Sequence, residues 1–102
     1  MLGWLLRQFG RAAKKRPDRH VVMYCRADCP LCDVAWRQLE AEQARYGFLL
    51  NKVDIAGDAQ LLREHGDWVP VVAINGQVRF RGRINAVLLR RILEHDDLVK
   101  RI

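Results

Sequence analysis

Cys29-Pro30-Leu31-Cys32 places two thiols three residues apart, a spacing that allows a reversible disulfide. The pair follows an apolar run, His20-Val21-Val22-Met23-Tyr24, and opens a stretch of helical character from Pro30 to Tyr46. A cysteine at a helix start lies near unpaired backbone N–H groups and the positive end of the helix dipole, and both favour the thiolate. Pro30 suits the first helical position, where its missing N–H is not needed. Cys29 is therefore the expected nucleophile. Cys32, about one turn on, is placed to attack a mixed disulfide formed on Cys29. Arg26 adds positive charge nearby, and Asp28 and Asp33 oppose it.

Other chemistries use the same letters. C-x-x-C is half of many zinc sites, but a second ligand pair at suitable spacing is needed. The remaining candidates are Cys25 and the histidines at 20, 65 and 95, which form no such pair, so no metal is expected. Cys25, Cys29 and Cys32 also spell C-x3-C-x2-C, a pattern used for radical-generating iron–sulfur clusters. A chain of 102 residues is too short for the partial barrel that usually carries that chemistry, and Leu31 replaces the usual aromatic residue. Cys25 by itself reads as a small buried hydrophobe ending a strand.

The elements around the pair follow from pattern. His20–Cys25 reads as a buried strand, and Pro30–Tyr46 as a helix with Cys32, Ala35, Trp36, Leu39 and Gln43 on one face. That face turns Cys32 inward and leaves Cys29 at the exposed tip. Gly47 ends the helix. Residues 48–55 form a second strand, residues 58–65 a short helix ended by Gly66, and residues 69–74 a third strand headed by Pro70. Asn75-Gly76 is a hairpin turn leading to residues 77–81, with Val78 and Phe80 on one side. Asn85 caps a last helix to about His95, with Ile84, Leu88 and Ile92 at helical spacing. The order β-α-β-α-β-β-α predicts an α/β thioredoxin-like fold with a four-stranded mixed sheet.

Composition bounds the rest. Half the residues are apolar, enough for one core, and no apolar run approaches the length of a membrane span. A lone C-x-x-C suits a reducing cytosol, where such thiols are catalytic. The net charge of +6 is uneven, because residues 1–19 hold six basic side chains against Asp18. Residues 20–102 carry 12 basic and 11 acidic side chains. A near-neutral folded part argues against nucleic-acid binding. Three segments result: a basic N-terminal arm (1–19), a domain (20–97) and a C-terminal tail (98–102). Leu2, Leu5, Leu6, Phe9 and Ala13 recur at helical spacing in the arm, with Trp4 nearby. Two readings remain open for it: a weak peripheral anchor on an anionic membrane, or an amphipathic helix packed on its own domain or a second copy.

The chain resembles the glutaredoxins, most closely a bacterial glutaredoxin-like branch with a C-x-L-C motif, a V-D-I strand end and a V-P-V strand start. Here those are Cys29-Pro30-Leu31-Cys32, Val53-Asp54-Ile55 and Val69-Pro70-Val71, followed by Asn75-Gly76 and Gly82. The resemblance covers roughly residues 20–95. It implies that Cys29 is the nucleophile, Cys32 the resolving thiol and Pro70 a cis-proline beside them. It also implies that the backbone of Val69 pairs with a bound peptide or with glutathione.

The chain departs from typical glutaredoxins at Leu31 (usually Tyr) and Trp68 (usually Thr). Gly82-Arg83-Ile84-Asn85 stands where a Gly-Gly and an Asp pair usually grip glutathione. Weak glutathione dependence is the expectation. Arg83 and Asn85, at a helix N-terminus, are the groups left to hold a carboxylate. Trp68 either stacks on a partner or covers the disulfide. The candidate substrate contacts are thus Arg26, Leu31, Trp68, Val69, Pro70, Arg83 and Asn85. The expected activity is thiol–disulfide exchange with protein or small disulfides. Glutathione is a candidate co-substrate and no resident cofactor is expected. The alternative is a non-catalytic thioredoxin-fold module that binds an iron–sulfur cluster or acts as an adaptor.

Overall fold

The computed structural model describes residues 16–99, with side chains to His95. Seven regular elements follow in order. They are β1 (His20–Cys25), α1 (Pro30–Tyr46), β2 (Leu49–Asp54), α2 (Ala59–His65), β3 (Val71–Ile74), β4 (Gln77–Arg81) and α3 (Ala86–Val99). A 3-10 turn, Ile55–Gly57, links β2 to α2. The four strands form one mixed sheet in the order β2-β1-β3-β4. β1 pairs parallel with β2 and antiparallel with β3, and β3 pairs antiparallel with β4. This is the α/β architecture expected from the element order.

Period-2 alternation in β1 decides which side meets the long helices. Val21, Met23 and Cys25 are buried and join Cys32, Ala35, Leu39 and Tyr46 of α1 and Leu89, Ile92 and Leu93 of α3 in one core. Burying each large side chain of this kind contributes about 1.5–3 kcal/mol before chain entropy is charged. Tyr24 points to the other face and stacks on His65 of α2, with ring centroids 4.8 Å apart.

The ends of the elements differ in detail from the sequence pattern. Phe48 and Ile55 are buried but lie outside β2, and Asp58 is the N-cap of α2 rather than its first residue. β3 begins at Val71, so Val69 and Pro70 precede the strand. α3 continues past His95 to Val99, so the tail assigned to 98–102 begins inside a helix. Its buried side is Leu89, Ile92 and Leu93, while Leu88 is exposed. β4 carries one extra residue. Phe80 pairs with Val72 and Val78 with Ala73, so the two lie on different faces, not on one.

Residues 16–19 also differ from a free arm. The Arg16 N–H donates to the Tyr46 carbonyl at 2.5 Å, and the Arg19 carbonyl accepts from Leu49 N–H at 3.0 Å. Both arginine side chains are buried, so the chain is fastened to the domain from Arg16 onward. Residues 1–15, the rest of the amphipathic arm, lie outside the described residues.

Candidate active site

β1 ends at Cys25, and Arg26-Ala27-Asp28 carries the chain to α1. Cys29 is the N-cap residue, in extended conformation (φ −125°, ψ 103°), with Pro30 at the first helical positions. The cap group here is a sulfur. Cys29 Sγ accepts the backbone N–H of Cys32 at 3.3 Å. The same N–H also reaches the Cys29 carbonyl at 3.0 Å, and Asp33 N–H reaches that carbonyl at 3.3 Å. A hydrogen bond of this kind strengthens as its acceptor gains negative charge.

The two thiols occupy different environments. Both are free, Cys29 is partly exposed, and Cys32 is only 4% exposed within the core. Burial, followed by the hydrogen bond with Cys29, pushes the Cys32 thiol up to about 12. Cys25 is also free and buried; its thiol donates to the Val53 carbonyl at 3.7 Å, and burial raises its pKa. It stands in the core as the strand-ending hydrophobe read from the sequence. Among the described residues, no three His, Cys, Asp or Glu side chains are grouped to hold a metal ion.

Cys29 opens into a cleft of about 420 Å³ lined by Arg26, Asp28, Pro30, Leu31, Ala56 and Val69. An adjoining depression of about 370 Å³ shares Ala27, Asp28, Cys29 and Pro30 with the cleft and is also lined by Asp33. The Val69–Pro70 bond is cis. Gly82 N–H is shared between the carbonyls of Trp68 (3.0 Å) and Pro70 (2.8 Å), which ties the segment after β4 to this loop. Gly82 has φ +82°, a left-handed conformation that favours glycine. Arg26 donates to the Gly66 carbonyl at 3.4 Å, joining the cysteine loop to the end of α2.

The candidate contacts divide accordingly. Arg26, Leu31 and Val69 line the cleft with Cys29. Trp68, one residue before Val69, is 58% exposed, and Pro70 is buried. Neither lines the cleft, nor do Arg83 and Asn85. Arg83 is exposed. The Asn85 carboxamide accepts Leu88 N–H at 2.9 Å and thereby caps α3. Ala56 in the cleft wall has no sequence signal of its own. The parallel register sets Cys25 beside Asp54, which carries the turn after β2 to the mouth of the cysteine loop.

Comparison with known proteins places this geometry. The family model of the glutaredoxin-like domain (DUF836) matches residues 20–94. A solved protein from X. campestris is 35% identical, with 72% of this chain and 95% of that one covered and a TM-score of 0.60. Another, from Nitrosomonas europaea, is 26% identical, with 72% and 88% covered and a TM-score of 0.65. A mutant thioredoxin from Halobacterium salinarum is 17% identical, with 76% and 73% covered and a TM-score of 0.59, a likeness of fold alone. No curated protein matches the chain. The element order, the sheet and these likenesses make this a thioredoxin-fold protein. Within that class the chain belongs to the glutaredoxin-like domain family.

Proposed function

We propose that the protein is a dithiol thiol–disulfide oxidoreductase. The observation that carries this reading is the asymmetry of the pair. One sulfur sits at a helix N-cap in an open cleft, and the other is buried one turn behind it. The Cys29 thiolate attacks one sulfur of a substrate disulfide. A Cys29–substrate bond forms, the substrate S–S bond breaks, and the departing thiolate takes a proton from solvent. Cys32 then loses its proton and attacks Cys29 Sγ. The substrate leaves as a second thiol and the Cys29–Cys32 disulfide remains. Two electrons pass to the substrate, and an external thiol or dithiol must return them.

The first step prepares the second. Part of what raises the Cys32 pKa is its hydrogen bond with Cys29 and the charge on that sulfur. Once Cys29 is in a mixed disulfide the charge is gone, so Cys32 ionises more readily where its attack is needed. The backbone of Val69, in the cleft wall, is the proposed docking edge for the substrate chain. Trapping tests the order of steps. Cys32→Ser should accumulate a mixed disulfide through Cys29, whereas Cys29→Ser should abolish exchange with a model disulfide. Full activity in Cys29→Ser would overturn the assignment. Purified protein carrying an iron–sulfur chromophore through Cys29 would favour the binding-module reading instead.

For the arm we propose weak, salt-sensitive contact with an anionic membrane surface. Its apolar positions and the basic residues Arg7, Arg11, Lys14 and Lys15 support it. No helix among the described residues is long and apolar enough to cross a membrane. A cytoplasmic setting, where a lone dithiol stays reduced, fits this chemistry.

A further inference from the structure

The charges around Cys29 are not symmetric. Arg26 and Asp28 line the cleft on the Val69 side. The adjoining depression, which shares Ala27, Asp28, Cys29 and Pro30 with the cleft, has Asp28 and Asp33 as its charged lining residues. Both carboxylates are exposed, and neither has a hydrogen bond or ion pair among the described residues. Asp33 lies in the first turn of α1, where a negative charge is favourable, so its placement costs the fold nothing. Arg26, the one cation among the described residues that lines either space, is directed in part to the Gly66 carbonyl. A group entering from the Asp33 side thus meets two unneutralised carboxylates next to the sulfur it must approach.

The groups left to hold an anion are placed elsewhere. Asn85 is engaged as the cap of α3, and neither it nor Arg83 lines either space around Cys29. Glutathione disulfide is an anion, and so is repelled where a cation is attracted.

We propose that Asp28 and Asp33 select the substrate by charge, so that the preferred disulfide belongs to a polypeptide with a basic side chain beside its cysteine. The inference rests on the exchange activity proposed above and names its substrate class. The basic group occupies the Asp28–Asp33 depression while the substrate backbone lies along Val69. The chemistry of exchange is unchanged. Cys29 attacks the sulfur, the S–S bond breaks, and only the encounter and orientation depend on charge.

Three small disulfides with different charge make the test direct: cystamine (cationic), hydroxyethyl disulfide (neutral) and dithiodipropionate (anionic). Rates are measured on the full chain at low and high salt. The expected order is cationic, neutral, anionic, with a cationic-to-neutral ratio of about 2- to 5-fold at low salt, as exposed charge pairs give. The ratio should fall toward one in high salt. Asp28→Asn and Asp33→Asn should each lower it, and the double variant should remove most of it. Glu40→Gln, an exposed carboxylate further along α1, should leave the ratio where it was. Normalising to the neutral disulfide separates charge selection from any change in sulfur reactivity. Equal ratios in the wild type and the double variant overturn the inference while exchange itself stands. No exchange with any of the three disulfides overturns the activity reading instead.

Discussion

Cys32 carries a cost that pH can expose. Its thiol is pushed up to about 12 in the folded protein, against an ordinary value of 9.0. Below about pH 9 it is protonated both folded and unfolded, so it adds no pH dependence. Between about pH 9 and about pH 12 the unfolded chain releases this proton while the native state keeps it. Stability therefore falls as pH rises through that window, with a slope approaching about 1.4 kcal/mol per pH unit for this group. Cys25 and Tyr46 are also raised, each chiefly by burial, and act in the same direction. Urea unfolding of the reduced protein from about pH 8.5 to about pH 10.5 should show the loss. Cys32→Ala should flatten the slope without abolishing it. An unchanged slope in that variant would mean that Cys32 is not the buried, protonated thiol described above. That one thiol would stand at the helix start and the other would turn inward was readable from spacing and helix position. The size of the Cys32 shift was not, because burial is a property of the packed core.

At the scale of elements, α1 and α3 make the clearest contrast. The α1 pattern correctly turned Cys32, Ala35 and Leu39 inward, with Trp36 packed half-buried against the same core, but the fully buried face continues through Glu42 and Tyr46 rather than Gln43. Glu42 reads as a surface residue because its partner is remote in sequence. Arg90 of α3 holds its carboxylate at 2.9 Å, and Tyr46 donates to Glu94 at 2.5 Å. Trp36 also carries the Lys52 ammonium of β2 over its ring, 4.5 Å from the centroid. Asn85 was read both as a helix cap and as a substrate contact, and the geometry gives its side chain a capping bond. Asn85→Ala should therefore destabilise the fold by about 1 kcal/mol. Exchange with hydroxyethyl disulfide should be unaffected where the variant is folded. Thermal unfolding and a rate assay on one preparation separate the roles; a rate loss without a stability loss would return Asn85 to the substrate.

For the whole molecule, the two ends of α1 matter most. Cys29 caps its N-terminus, while the Tyr46 carbonyl at its C-terminus receives Arg16 N–H. Seventeen residues of helix separate these points, about 25 Å at 1.5 Å per residue. An arm leaving at Arg16 therefore starts at the pole remote from the thiols. If residues 1–15 lie on an anionic surface, the cleft remains open to solution. Full-length protein should co-sediment with anionic vesicles at low salt and be released by high salt. Removing residues 1–15 should abolish binding and leave exchange with hydroxyethyl disulfide intact; the cut stops there because Arg16 is buried. Full-length protein left in the supernatant at low salt would eliminate the membrane role.

Local rules made much of this protein legible from its letters. A C-x-x-C after an apolar strand, a proline at a helix start, an Asn-Gly turn and a glycine after a helix each act over a few residues. The β-α-β-α-β-β-α order follows from them. Contacts between distant segments decided the rest. The parallel pairing of Cys25 with Asp54 brought Ala56 to the cleft, and the Gly82 hydrogen bonds set the loop of Val69 and Pro70. The extra residue in β4 split Val78 from Phe80. Arg16 and Arg19, which look like arm residues by charge, became buried because the end of α1 and the start of β2 offered backbone partners. Spacing along a chain specifies which groups are near neighbours on one element. Which groups lose water, and which carboxylates remain unpaired beside a sulfur, depends on elements that meet only when the chain has folded.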